Sequence, residues 1–406
     1  MKKIRRIVGM VSGLALIVSL AAGCGSGGGT ETKAETKAET KAASEDGTEA
    51  AGGEESSSDS IKIALYGPLT GNNAQYGLTY QATINALCEK VNAEGGINGR
   101  DVVVEVFDDK NDPKEALNVA NLIVSDPEIV AVIGSQTSSP TLAAAPVFEE
   151  AGLPMITPQA SHVDITPTGG HIFSISCLAT FEGGVIAQRM IEDGYKKVAA
   201  IYANDDYGLN IIERWKSDVT DADLEIVDVE EYISGQTSDF TPLLSKIKES
   251  GAEALYIVPS YADAAMICTQ MEQLEMGNVQ KYACSMCYTD SFLEAAGESA
   301  EGTKVCNFIY PETTDETFLA LKELLGEKTS MENIDVYATN SHDAFMLLVD
   351  AMKEVGTDGD AIAQWLTDVK DWPGACGPIT FDETRHPDKQ LFWFQVEGGQ
   401  FNYLGQ

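Results

Sequence analysis

Ile61-Lys-Ile-Ala-Leu-Tyr-Gly-Pro-Leu-Thr-Gly71, followed closely by an amphipathic run over 76–91, decides how the rest of the chain is read. An almost wholly apolar segment of strand length breaks at Gly67-Pro68, and a stretch of helical length and period follows. The same figure repeats downstream. Strands are expected over 61–66, 102–107, 129–133, 153–156, 197–202, 224–229, 255–258 and 281–284. Helices are expected over 76–91, 113–124, 140–151, 182–193, 210–220, 240–250, 262–275 and 315–325. Strands that are apolar throughout need cover on both faces, so this alternation predicts an α/β fold of parallel sheets flanked by helices. One series ends and a second begins near 177–184, which predicts two doubly wound lobes with ligand sites at the carboxyl ends of their strands.

Three of those strand ends carry polar turns. Tyr66-Gly-Pro-Leu-Thr-Gly71 follows the first strand, Gly134-Ser-Gln-Thr-Ser-Ser139 the third and Thr157-Pro-Gln-Ala-Ser161 the fourth. Ser139-Pro140 reads as an N-cap with proline at the first helical position. A hydroxyl-rich turn feeding a helix start offers free amides and the positive end of the helix dipole, a setting that holds a carboxylate without a formal cation. Any one such turn is ordinary capping; three at one sheet edge point to a binding site.

Outward from the folded region, Met1-Lys-Lys-Ile-Arg-Arg6 and the apolar run 7–22 read as an export signal over 1–23, too short in its apolar core to remain as a membrane span. Ala21-Ala22-Gly23 leads into Cys24, an arrangement that resembles the bacterial lipobox, with Leu20 four residues before the cysteine. Cys24 is therefore the expected lipidation site. Residues 24–60 hold the tetrapeptide Glu-Thr-Lys-Ala three times from Glu31 to Ala42, then acidic and Ser-rich residues, and read as a solvated tether with no apolar stripe to bury. Removing the four leader cations takes the formal charge from −36 to −40, a balance that repels nucleic acid and anionic lipid surfaces.

Eight cysteines and four histidines bound the chemistry. With Cys24 lipidated, seven thiols remain, an odd number for a disulfide framework. Cys284-Ser-Met-Cys287 has no second CxxC or spaced His/Cys pair, so zinc and redox readings give way to buried free thiols. His162, His171, His342 and His386 belong to no catalytic motif, and no Gly-x-Ser-x-Gly, His-Glu-x-x-His, Walker or Gly-x-Gly-x-x-Gly element is present. No catalytic residue, metal site or cofactor is expected.

Several runs, read in order, resemble the leucine/isoleucine/valine-binding protein family of the type I periplasmic-binding fold. They are Pro68-Leu-Thr-Gly-Asn-Asn-Ala-Gln-Tyr-Gly77, Glu94-Gly-Gly-Ile-Asn-Gly99, Asp108-Asp-Lys-Asn-Asp-Pro-Lys114, Ile133-Gly134 with Ser138-Ser139, and Pro154-Met-Ile-Thr-Pro158. Asp206-Tyr-Gly208, Gly297-Glu-Ser-Ala-Glu-Gly302 and Gly377-Pro-Ile-Thr-Phe-Asp382 follow. The resemblance implies a bilobed trap with a three-strand hinge, lobe one taking 61–180 plus 309–388 and lobe two 181–308 plus 389–406. It also implies a monomeric solute-binding lipoprotein on the outer face of a bacterial cytoplasmic membrane, delivering an amino acid, branched-chain or otherwise apolar, or a close analogue, to an ABC importer permease; a sensing module for a membrane receptor is the alternative.

Carried over residue by residue, Ser138 and Ser161 match the hydroxyls that hold the ligand carboxylate, and Gln159 and Ala160 the backbone positions whose carbonyl accepts from the ammonium. Tyr76, Tyr207 and Tyr261 match aromatic residues lining the cleft. Met286 stands where amino-acid binders place an acidic residue; an unpaired buried ammonium is costly, so Glu182 or Asp290 must supply the charge or the ligand lacks an amino group. Phe181, Met286 and Cys287 would make the far wall apolar. Asn111 and Thr137 replace the cysteines that some relatives join in a disulfide.

Overall fold

The computed structural model describes residues 60–406 apart from 223, 259, 311, 330, 332 and 333. The export signal, Cys24 and the tether lie outside the described residues. Within them no helix is long and apolar enough to cross a membrane.

The first lobe runs β1 (Ile61–Gly67), α1 (Ala74–Ala93), β2 (Val102–Asp108), α2 (Pro113–Ser125), β3 (Ile129–Ile133), α3 (Ser138–Glu150), β4 (Met155–Thr157) and β5 (Ile172–Ser174). Its five strands form a parallel sheet in the order β2-β1-β3-β4-β5. The opening strand shows why its sequence is almost wholly apolar. Ile61, Ile63 and Leu65 pack under Tyr76, Tyr80, Ile84 and Leu87 of α1, while Ala64 and Tyr66 enter a separate core with Ala116, Ala120, Ala144 and Phe148 of α2 and α3. Apart from Lys62, which pairs with Asp126 and Glu128 near the strand's start, its side chains are apolar because both faces are covered.

The second lobe runs α4 (Ala179–Glu192), β6 (Lys197–Ala203), α5 (Asp206–Asp221), β7 (Glu225–Tyr232), α6 (Thr241–Ser250), β8 (Ala254–Val258), α7 (Tyr261–Gln273), β9 (Gln280–Ala283), α8 (Asp290–Ala296) and β10 (Lys304–Asn307). The chain then returns with α9 (Glu316–Thr329), α10 (Val336–Val355), α11 (Gly359–Thr367) and a small hairpin, β11 (Trp372–Gly374) and β12 (Gly377–Ile379). Both α9 and α10 pack on α1 in the first lobe. A last passage brings β13 (Phe392–Glu397) and β14 (Gln400–Gly405) to the second sheet, whose order is β14-β13-β10-β9-β8-β6-β7. The chain thus passes between the sheets three times, at 175–178, 308–315 and 380–391.

The second sheet is parallel only from β7 to β10. β13 runs antiparallel to β10, and β14 antiparallel to β13. Gly398 and Gly399, with φ of 63° and 72°, form the two-residue turn that reverses the chain, and two successive positive φ values are what glycine supplies without strain. Pattern reading also passes over β5, β10, β11 and β12, which are three or four residues long, and α10. That helix is buried on almost every side, from Val336 through Phe345 to Met352, so it has no polar stripe to betray its period.

Several helices start earlier than expected, α4 at Ala179 and α5 at Asp206 rather than at 182 and 210. α3 begins at Ser138 with Thr137 as N-cap, two residues earlier than the Ser139-Pro140 reading, which places Pro140 in the third helical position. Thr137 leaves its cap vacant: its hydroxyl instead donates to Asn111 Oδ1 across the β2–α2 turn.

Candidate functional site

Between the lobes lies a cleft lined by residues of both. Four helices start at it. Asn73, Thr137, Asp205 and Ser260, the N-caps of α1, α3, α5 and α7, all line the cleft, two from each lobe. Away from it, Asp112, Thr289, Asp335 and Asp358 cap their own helices by accepting first-turn N–H groups. At the cleft, Asn73, Thr137 and Ser260 make no such bond, and only Asp205 does, taking the Gly208 N–H at 2.8 Å. The positive ends of four helix dipoles are therefore gathered at the cavity.

The first lobe adds Asn111, Gln136, Ser138, Gln159, Ala160 and Ser161. Local structure holds these turns firmly. Asp108 accepts from Leu69 N–H, Thr70 Oγ1 and Lys110 N–H, tying the β1–α1 turn to the β2–α2 turn, and Asp109 takes the Asn111 N–H at 2.8 Å. Thr157 Oγ1 bridges the Ser135 carbonyl and the Ala160 N–H, while Ser174 donates to the Ala160 carbonyl at 2.9 Å. Asn340 of the buried α10 donates to Gln159 Oε1 and to the Pro158 carbonyl. With its scaffold satisfied in this way, the same wall leaves Asn73 Oδ1, Gln136 Oε1 and Ser138 Oγ buried and without partners. Orphaned polar atoms are expensive, and a ligand's polar groups are the natural partners for atoms that line a cavity.

The second lobe presents Glu182, Ala203, Asp205, Tyr207, Ser234, Val258, Ser260 and Met286, and Ser176 with Cys177 of the first crossing completes the wall. Glu182 is 4% exposed. It accepts the Ser285 N–H at 2.6 Å, the Ser285 hydroxyl at 2.9 Å, the Tyr207 hydroxyl at 3.2 Å and the Cys306 thiol at 3.5 Å. Burial nevertheless holds its carboxyl above the usual glutamate range, the four donors offsetting only part of that cost. No Lys, Arg or His is among the lining residues. Charge recognition here falls to helix starts and hydroxyls on one side and carboxylates on the other.

Six of the eight sequence-derived candidates, Ser138, Gln159, Ala160, Ser161, Tyr207 and Met286, meet at this cleft. Tyr76 and Tyr261 do not line it; they stand behind its wall, edge to face with ring centroids 5.6 Å apart. Of the two carboxylates weighed against Met286, Glu182 reaches the cavity, whereas Asp290 opens α8 elsewhere. The far wall is also less apolar than expected: Phe181 is 43% exposed on another groove and Cys287 is buried behind the lining. Sequence reading missed Asn73, Asp205, Ser234 and Ser260 as lining residues. Each follows a strand's carboxyl end, and carrying the strand-end rule through every βα turn of both lobes would have found them. Of the seven cysteines described, five are buried, and no group of three or more His, Cys, Asp or Glu among the described residues is placed to hold a metal ion.

Comparison with known proteins agrees with this architecture. The periplasmic binding protein family matches residues 60–400. A leucine-, isoleucine-, valine-, threonine-, and alanine-binding protein of Pseudomonas aeruginosa is 35% identical over 218 residues, 53% of this chain and 58% of the relative, so the match spans little more than half of that protein's length. Leu/Ile/Val-binding protein homolog 1 of Brucella abortus is 26% identical over 354 residues, covering 85% of this chain and 94% of the relative. Among solved structures, the branched-chain amino acid transporter substrate binding protein LivJ from Streptococcus pneumoniae, in complex with isoleucine, superposes with a TM-score of 0.79 at 24% identity, covering 86% of this chain and all of that one, which shows a shared fold. Matched from its first strand to its C-terminal hairpin, with its cleft between two parallel-sheet lobes, the chain belongs to the periplasmic binding protein family, a family of solute-binding proteins.

Proposed function

We propose that the chain is the lipid-anchored solute-binding component of an ABC importer and that it captures an amino acid, branched-chain or otherwise apolar, or a close analogue. The observation that carries this reading is the pairing of Ser138 Oγ, orphaned at the start of α3, with Glu182 on the opposite lobe of a cleft without cationic side chains. The ligand carboxylate docks on Ser138, Ser161 and the open α3 amides, where dipole and hydroxyls stabilise it. Its ammonium meets Glu182 as the second lobe closes, and loss of water strengthens both contacts. Met286, Val258, Ala203 and Cys177 receive an apolar side chain. The names of the relatives in Pseudomonas and Brucella support an amino-acid ligand; Cys24 and the tether that follows it support anchorage outside the cell, on the outer face of the cytoplasmic membrane.

The test is mass spectrometry of small molecules retained by natively purified protein, joined to a thermal-shift panel of leucine, isoleucine, valine, threonine and alanine with their deaminated acids. At a hundred times its dissociation constant a true ligand stabilises the fold by about 2.7 kcal/mol. Amino acids that stabilise where their deaminated counterparts do not support the assignment. A response confined to the deaminated acids overturns the role of Glu182, and no response from either set overturns the ligand class.

A further inference from the structure

We propose that Tyr76 is a closure latch, a lobe-one side chain that holds the second lobe shut without touching the ligand. The proposal rests on the closure mechanism above, but its subject is a residue outside the cleft. Tyr76 projects from the first turn of α1 and is fully buried. Its hydroxyl accepts the Tyr261 N–H at 3.0 Å and donates to the Met286 carbonyl at 3.3 Å. Both partners belong to the second lobe, at the start of α7 and in the turn after β9. One phenol therefore uses its donor and an acceptor position on two separate segments of the opposite lobe.

Those two segments carry cleft walls. Ser260, the residue before Tyr261, and the side chain of Met286 itself line the cavity. Forming both bonds at once requires the α7 start and the Met286 turn to stand together against α1, which is the closed arrangement. The ring is seated for the task, 4.4 Å from Tyr337 of α10 on its own lobe and edge-on to Tyr261 of the other. Apart from Tyr76, the Asp206 N–H reaches Ser139 Oγ across the lobes at 3.3 Å, the second lobe donating to the first beside the start of α3. Opening the lobes strips Tyr261 N–H and the Met286 carbonyl of a buried partner together, a barrier that acts on release rather than on entry.

The experiment compares Tyr76→Phe with Tyr80→Phe. Tyr80 lies one turn along α1, is equally buried and has a hydroxyl without a partner, so its variant removes a phenol oxygen but no cross-lobe bond. Stopped-flow kinetics with leucine should show Tyr76→Phe raising the dissociation rate about tenfold or more with the association rate within about twofold. Tyr80→Phe should leave both rates unchanged. Equal dissociation rates in wild type and Tyr76→Phe overturn the latch while leaving the binding assignment intact. If leucine fails to bind even the wild type, the ligand reading is what fails, and the latch is read instead from hydrogen exchange at the Tyr261 amide in the ligand-free chain. Faster exchange in Tyr76→Phe than in wild type and Tyr80→Phe supports it; equal exchange in all three overturns it.

Discussion

Ser138 and Glu182 hold opposite ends of the cleft for opposite physical reasons. The Ser138 hydroxyl is buried with nothing to bond, at a helix start whose cap is vacant, so it is preorganised for an anion. Ser138→Ala should weaken ligand binding by about 1.5–3 kcal/mol, the worth of a hydrogen bond to a charged group, with the unfolding midpoint of the empty protein nearly unchanged; isothermal titration calorimetry and denaturant melts measure the two. Glu182 instead has four donors and still lies above its ordinary range, because desolvation outweighs them. The folded pocket therefore holds a proton on this carboxyl more readily than an unfolded chain would, so protons compete with an incoming ammonium for it. Affinity should weaken as pH is lowered through that raised value and strengthen above it. Glu182→Gln should bind weakly at neutral pH and lose most of this dependence; titrations from about pH 8 to about pH 5 read the slope.

At the scale of elements, the strand-turn-helix unit is the working part, and Gly77 shows how tightly one is built. A Cβ at Gly77 would lie 2.0 Å from the Pro68 carbonyl oxygen, a backbone atom that cannot swing aside. Glycine lets the first turn of α1 lie against its own β1–α1 turn, which sets Asn73 at the cleft and Tyr76 behind it. Replacing glycine by alanine inside a helix ordinarily adds about 1 kcal/mol of stability. Here the collision reverses the sign: Gly77→Ala should destabilise by about 1–3 kcal/mol, as overpacking does, and weaken ligand binding because the turn that carries Asn73 must shift. Urea unfolding gives the first effect and calorimetry the second. Conversely, the cap side chains of α1, α3 and α7 make no bond to their own helices, a local cost borne at the edge of the cavity they line.

The whole molecule combines a closing trap with a proposed leash. Three crossings between the sheets leave the lobes few covalent paths, an arrangement suited to hinge motion about short segments. Acylation of Cys24 and a tether of about the length between Cys24 and Ile61 would keep the trap near its permease without restricting its lobes. Cys24→Ala should move the protein from the membrane fraction to the medium of the producing cell with ligand affinity unchanged. Retention of the variant in the membrane fraction, read by immunoblot of both fractions, would count against the anchor.

The repeating apolar strand and amphipathic helix determined the α/β class, the two series and the sheet edge that carries Ser138, Gln159 and Ser161, because burial of both faces writes itself into consecutive residues. Tertiary structure alone decided the rest. α10 stayed hidden because a helix buried all round has no period, and the antiparallel β13–β14 edge because it depends on a return from the other lobe. That Glu182 rather than Asp290 reaches the cavity, and that Tyr76 bonds to residues 185 and 210 positions away, follow from how two sheets face each other. Periodicity reports that a side chain is buried; which distant group it meets is set by the packing of the lobes, and no local pattern encodes that distance.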